Sequence, residues 1–153
     1  MKLVLKRVSV IICILSFMFV FTAFQAAAAD KAVQQSAEVK VQPHHLVVTY
    51  FHGTFRCPTC HKIENLSAKA IKTHFKDELQ SGKLIFRVIN VEEPGNEHYM
   101  KDYQLYTKSL IVSDVKNGKE RRWKNLEKIW VYVRDDQKFD NYVKSEIADW
   151  LKE

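Results

Sequence analysis

Two cysteines, in Cys57-Pro58-Thr59-Cys60, are the residues of this chain best suited to chemistry. They follow the apolar run Leu46-Val47-Val48-Thr49-Tyr50-Phe51 and open a stretch of helical periodicity. A strand that delivers a C-x-x-C to a helix start places the first sulfur among unpaired backbone N–H groups. There the positive end of the helix dipole favours thiolate over thiol. The expected chemistry is dithiol exchange, in which Cys57 attacks a partner disulfide and Cys60, one helical turn on, resolves the mixed disulfide. The remaining cysteine, Cys13, lies in an apolar N-terminal segment away from this pair.

Arg56, Lys62, His52 and His61 flank the motif. Each would stabilise Cys57 as thiolate, and each also reads as a solvated flank. Glu64, four residues after Cys60, shares its helical face and would accept a proton when Cys60 resolves, although a surface glutamate is the plainer reading. Arg56, His61 and Glu64 are therefore auxiliary candidates beside Cys57 and Cys60.

The same letters admit other chemistry. Cys57-Pro58-Thr59-Cys60-His61 satisfies the c-type haem attachment pattern, with His61 as proximal ligand and Met100 as a distal one. Cys57, Cys60 and His61, with His52, would also grip a soft ion such as Cu(I), zinc or trivalent arsenic. No second C-x-x-C or H-x-x-x-H completes a closed zinc site, and a disulfide closing so short a loop gains little as a mere brace. The favoured reading needs no metal and no cofactor: the prosthetic group is the disulfide itself. No nucleophile elbow supports a hydrolase.

The segments around the motif set its compartment. Lys2, Lys6 and Arg7 precede an uncharged, largely apolar stretch from Val8 to Phe24, and Ala26-Ala27-Ala28-Ala29 then supplies the small residues a signal peptidase reads. Residues 1–29 are expected to be a signal peptide, with an uncleaved anchor as the alternative. Export to the periplasm or the extracytoplasmic envelope would let the cysteine pair persist as a disulfide. Residues 30–44 are polar and aperiodic and are expected to form a flexible linker. Residues 45–153 then form one domain. Removing the three basic residues of the signal from the 24 leaves 21 against 18 acids. The charges are scattered, so no nucleic-acid stripe is expected.

Within that domain the apolar run at 46–51 is expected to be a buried strand, Cys57 to Gln80 a helix and Leu84 to Val91 a second, parallel strand. A short helix from Glu97 to Tyr103, a strand at Leu110-Ile111-Val112, a turn through Asn117-Gly118 and a strand over Lys119 to Trp123 follow. Asn125 is expected to cap a segment through Val133, and a last helix carries Phe139, Tyr142, Val143, Ile147, Trp150 and Leu151 on one face. Most of Trp123, Trp130, Trp150, Tyr103 and Tyr106 are assigned to the core.

That order of elements resembles the thioredoxin fold, an α/β domain with a mixed central sheet flanked by helices. The string Phe51-His52-Gly53-Thr54-Phe55-Arg56-Cys57-Pro58-Thr59-Cys60 is similar to a small exported family, the ArsF-type nitrophenyl compound nitroreductase subunits. So are Val91-Glu92-Glu93-Pro94, the stretch Lys101 to Ser109, and Trp123-Lys124-Asn125-Leu126. The resemblance implies a thioredoxin-like domain with Cys57 and Cys60 as redox pair. It would serve as an accessory subunit to a protein disulfide or dithiol partner, such as a membrane or exported reductase. Nitro reduction needs a low-potential electron source such as a flavin. The four glycines form no G-x-G-x-x-G fingerprint, so a partner would have to supply it. The sequence departs from ordinary thioredoxins twice: Thr107-Lys108-Ser109 stands where a proline usually faces the cysteines, and the first strand carries no acid.

Overall fold

The near-continuous apolar run from Leu46 to Phe51 makes β1, His44–His52, the buried strand that feeds the cysteine motif. A computed structural model describes residues 41–152; the expected signal peptide, and the linker as far as residue 40, lie outside the described residues. After β1 come α1 (Pro58–His74), α2 (Lys76–Ser81), β2 (Leu84–Asn90), α3 (His98–Asp102), β3 (Ser109–Lys116), β4 (Lys119–Asn125), α4 (Ile129–Tyr132) and α5 (Asp136–Leu151). The strands form one mixed sheet in the order β2-β1-β3-β4. β2 runs parallel to β1, with Tyr50 opposite Val88, whereas β3 runs antiparallel to both β1 and β4.

This is the thioredoxin-like arrangement expected from the order of elements: a single α/β domain, a mixed four-stranded sheet and helices on its faces. β1 is central and buried on both faces, as a near-continuous apolar run requires. Leu46, Val48 and Tyr50 point to one side, where Ile63, Ala70 and Ile71 of α1 and Phe139, Val143 and Ile147 of α5 pack on them. Phe51 points to the other side and joins Leu105 and Ile111, with Tyr99, Tyr103 and Trp123 around them. The cysteine motif thus leaves the sheet at the end of a strand fixed on both faces.

Several boundaries differ from expectation, and β3 runs from Ser109 to Lys116, well beyond the strand expected at Leu110-Ile111-Val112. The helix expected to run from Cys57 to Gln80 breaks at Phe75, whose φ of −129° and ψ of 36° are not helical. Phe75 is buried in the main core, and its carbonyl restarts the chain as α2 by accepting from the Leu79 amide at 2.9 Å. Gly82, at φ 73°, then ends α2 in the left-handed conformation that favours glycine. Asn125 closes β4 instead of capping a helix, and α4 is a single turn, because Leu126 is drawn into the core directly after the strand. The hairpin forms as expected, with Asn117 and Gly118 both at positive φ.

Candidate active site

Pro58 occupies the first turn of α1, where its missing N–H costs nothing, and Cys57 becomes the residue that caps the helix. Cys57 Sγ accepts the Cys60 amide at 3.3 Å, the bond that a serine or aspartate makes at other helix starts. Cys57 and Cys60 are joined as a disulfide, with their Cα atoms 5.1 Å apart. The two sulfurs differ in access: Cys57 is half-buried, and Cys60 is 2% exposed. One sulfur can therefore be reached by a partner while the other is shielded. That is the asymmetry an attacking and a resolving cysteine need.

A polar cluster lies behind Cys60 that the sequence reading only half identified. Tyr50, fully buried on β1, donates its hydroxyl to the Cys60 carbonyl at 2.9 Å. Arg56 and Glu64 form an ion pair through Arg56 Nη2, both side chains largely covered. Their charges act on the Tyr50 hydroxyl, which burial pushes up to about 12 against an opposing pull from Arg56. Arg56 and Glu64, two of the auxiliary candidates, are thus brought together. His61 is exposed on the first turn of α1, with its amide on the Cys57 carbonyl at 3.2 Å. Lys62 pairs with Asp136 at 2.9 Å, and His52 bonds through Nδ1 to the Gly53 carbonyl at 2.8 Å.

Tyr50 was missed because its letter fits an apolar strand. The available signal was its period-two position: with Leu46 and Val48 it must face the helix that carries Cys60, so a polar tip there needs a partner. The loop before the cysteines is also tethered. Glu92 Oε2 accepts the Thr54 amide at 2.9 Å, and Asn90 Nδ2 reaches Thr54 Oγ1 at 3.2 Å. Donation from Thr54, with the positive charge of Lys108 nearby, holds the Glu92 carboxyl below its usual range. Gly53 lets that carboxylate approach, since a Cβ there would stand 2.5 Å from Glu92 Oε1.

A cavity of about 130 Å³ opens beside this loop, lined by His52, Gly53, Met100, Tyr106, Thr107 and Lys108 among others. It brings Thr107-Lys108 to the end of β1, beside the loop that leads into the cysteines. The Lys108 carbonyl accepts Trp130 Nε1 at 2.9 Å, which fixes the segment without a proline. Tyr106, placed with the core aromatics from sequence, is instead 94% exposed, and Met100 is 48% exposed. Phe55 and Val131 are also exposed, at 79% and 72%, the first two residues from Cys57 and the second in a groove shared with Thr59. Among the described residues, no cluster of three or more His, Cys, Asp or Glu side chains is arranged to hold a metal ion.

No protein-family model matches the chain. No curated protein matches it either. It is similar to several solved structures of thioredoxins. The thioredoxin of Fasciola hepatica is 17% identical, with 66% of this chain and 80% of that one covered at a TM-score of 0.39. For the thioredoxin of Plasmodium falciparum the values are 17%, 66%, 81% and 0.39. For the reduced thioredoxin pre-protein of Schistosoma mansoni they are 21%, 62%, 79% and 0.37. Likeness at this level says nothing about activity. The thioredoxin-like assignment stands on the order of elements, the strand topology and the disulfide at the start of α1.

Proposed function

We propose that this domain exchanges disulfides with a protein partner, Cys57 forming the mixed disulfide and Cys60 resolving it. The observation that carries the reading is the unequal burial of two bonded sulfurs at a helix start, one half-exposed and one 2% exposed. The capping bond from the Cys60 amide adds to it, because the same N–H would stabilise a Cys57 thiolate. Exposed apolar side chains at Phe55, Tyr106 and Val131 give a partner something to rest against near the disulfide.

The proposed setting is extracytoplasmic, on the strength of the basic start, apolar stretch and alanine run of residues 1–29. The motifs shared with ArsF-type nitrophenyl compound nitroreductase subunits support an accessory role, passing electrons between a dithiol partner and a reductase that holds its own electron carrier. Binding of a thiophilic ion by Cys57 and Cys60 is the reading this one competes with.

The test is intact mass after thiol alkylation across a series of glutathione potentials, on protein exported by its own N-terminus. Cys57 and Cys60 titrating together as a two-electron couple, on a chain beginning at Asp30, is the expected result. A Cys60→Ser variant should then accumulate a mixed disulfide with its partner that Cys57→Ser does not form. Cysteines that never cycle, or that carry metal or haem mass, would refute exchange.

A further inference from the structure

Arg56 Nε is buried with no hydrogen-bond acceptor, and no other buried side-chain nitrogen or oxygen among the described residues is left so. Elsewhere on the guanidinium, Nη2 bonds to Glu64, and the charge acts on Tyr50. A buried donor without an acceptor costs free energy, and structures keep one only where something else requires it. The sulfurs of a disulfide are poor acceptors. A thiolate is a strong one, charged and able to take an N–H from a guanidinium.

We propose that Arg56 is held in place by Glu64 as an unspent donor for the sulfur charge that appears when the disulfide opens, chiefly on Cys60. This rests on the exchange reading above. Cys57 already has the Cys60 amide and the helix start to stabilise its thiolate. Cys60 is shielded from water, and the Tyr50 hydroxyl on its carbonyl ties the polar cluster to its side of the pair. The titratable and charged groups that meet there are Tyr50 from β1, Arg56 from the loop and Glu64 from α1.

A thiolate of a partner dithiol attacks Cys57 Sγ, the Cys57–Cys60 bond breaks, and its electron pair leaves on Cys60 Sγ as a thiolate that takes the Arg56 N–H. The partner's second thiolate then attacks its own sulfur in the mixed disulfide and releases Cys57. The partner is oxidised by two electrons, this disulfide is reduced by two, and the partner's thiol protons pass to solvent. A stabilised Cys60 thiolate leaves faster and makes the disulfide more oxidising.

Two substitutions of opposite sign test this in the full chain equilibrated with glutathione. Arg56→Met should move the equilibrium about tenfold toward the disulfide, about 30 mV lower in potential. It should also raise the pH at which Cys60 is alkylated by roughly one unit. Glu64→Gln removes the charge that balances Arg56 and should move the equilibrium toward the dithiol. A folded Arg56→Met with unchanged potential and alkylation profile would reduce Arg56 to a brace and overturn the proposal. If that variant does not fold, a Glu64→Gln equilibrium that is unchanged or shifted toward the disulfide overturns it equally. A wild-type pair that never cycles would sink the exchange reading itself, whatever the variants do.

Discussion

Replacing Tyr50 by Phe removes one oxygen from the middle of this structure and nothing else. The ring stays where Leu46, Val48 and Ile63 pack in the same core, so the loss is the bond to the Cys60 carbonyl at 2.9 Å. A neutral hydrogen bond of this kind contributes about 1 kcal/mol net. At neutral pH the variant should therefore unfold in urea with about that much less stability, and melt about 4–8 °C lower. Alkali should reverse the order. Burial pushes the Tyr50 hydroxyl up to about 12, against about 10 in an unfolded chain. A proton held more tightly when folded stabilises the fold fully below pH 10 and stops doing so as pH rises through 12. Each pH unit in that window takes about 1.4 kcal/mol from the wild type and nothing from the phenylalanine variant at this site. The two stability curves should cross near roughly pH 11. Tyr103 and Tyr142 are also pushed up to about 12, but they act equally in both proteins. Urea titrations of both proteins from pH 7 to 12 measure the crossing. Parallel curves, with the wild type ahead throughout, would refute the account of Tyr50 as a buried, bonded phenol.

Three further outcomes follow from the geometry. Gly53→Ala forces Glu92 off the Thr54 amide, because the new Cβ would stand 2.5 Å from its oxygen. Hydrogen exchange at Thr54 should quicken while the core amides keep their protection, and an unchanged Thr54 would show the tether to be idle. Ile63→Ala empties a fully buried position on α1, three residues beyond Cys60, and should cost about 2–5 kcal/mol in urea unfolding. Gly118→Val puts a branched side chain at φ 73° in the β3–β4 hairpin and should cost about 1–2 kcal/mol, read as a lower melting temperature with the disulfide equilibrium untouched.

Much of the fold was legible because local chemistry and pattern agreed. A short β-branched and aromatic run before the motif, helical spacing after it and a second apolar run ended by Pro94-Gly95 specify a parallel β-α-β unit, and Asn117-Gly118 specifies a tight hairpin. The break at Phe75 was not legible. Nothing local stops a helix there; the ring turns into a core assembled from β1, α1 and α5, and the backbone follows it. Tyr106 misled for a related reason, since an aromatic letter says nothing of which side of a loop it will occupy.

The sequence by itself determined that two thiols would stand at a helix start after a buried strand, because residue spacing and a proline in the first turn are local matters. It also singled out Arg56 and Glu64 as neighbours of the pair. It also pointed to Cys60 as the more buried of the two cysteines, but what stands behind that sulfur only the tertiary structure decided. Tyr50 is ten residues from Cys60 along the chain and one hydrogen bond away in space. Arg56 joins Glu64 only when the loop folds back over the first turns of α1. Burial and charge pairing depend on which surfaces meet, so the partner-facing and buried halves of the site emerge from packing.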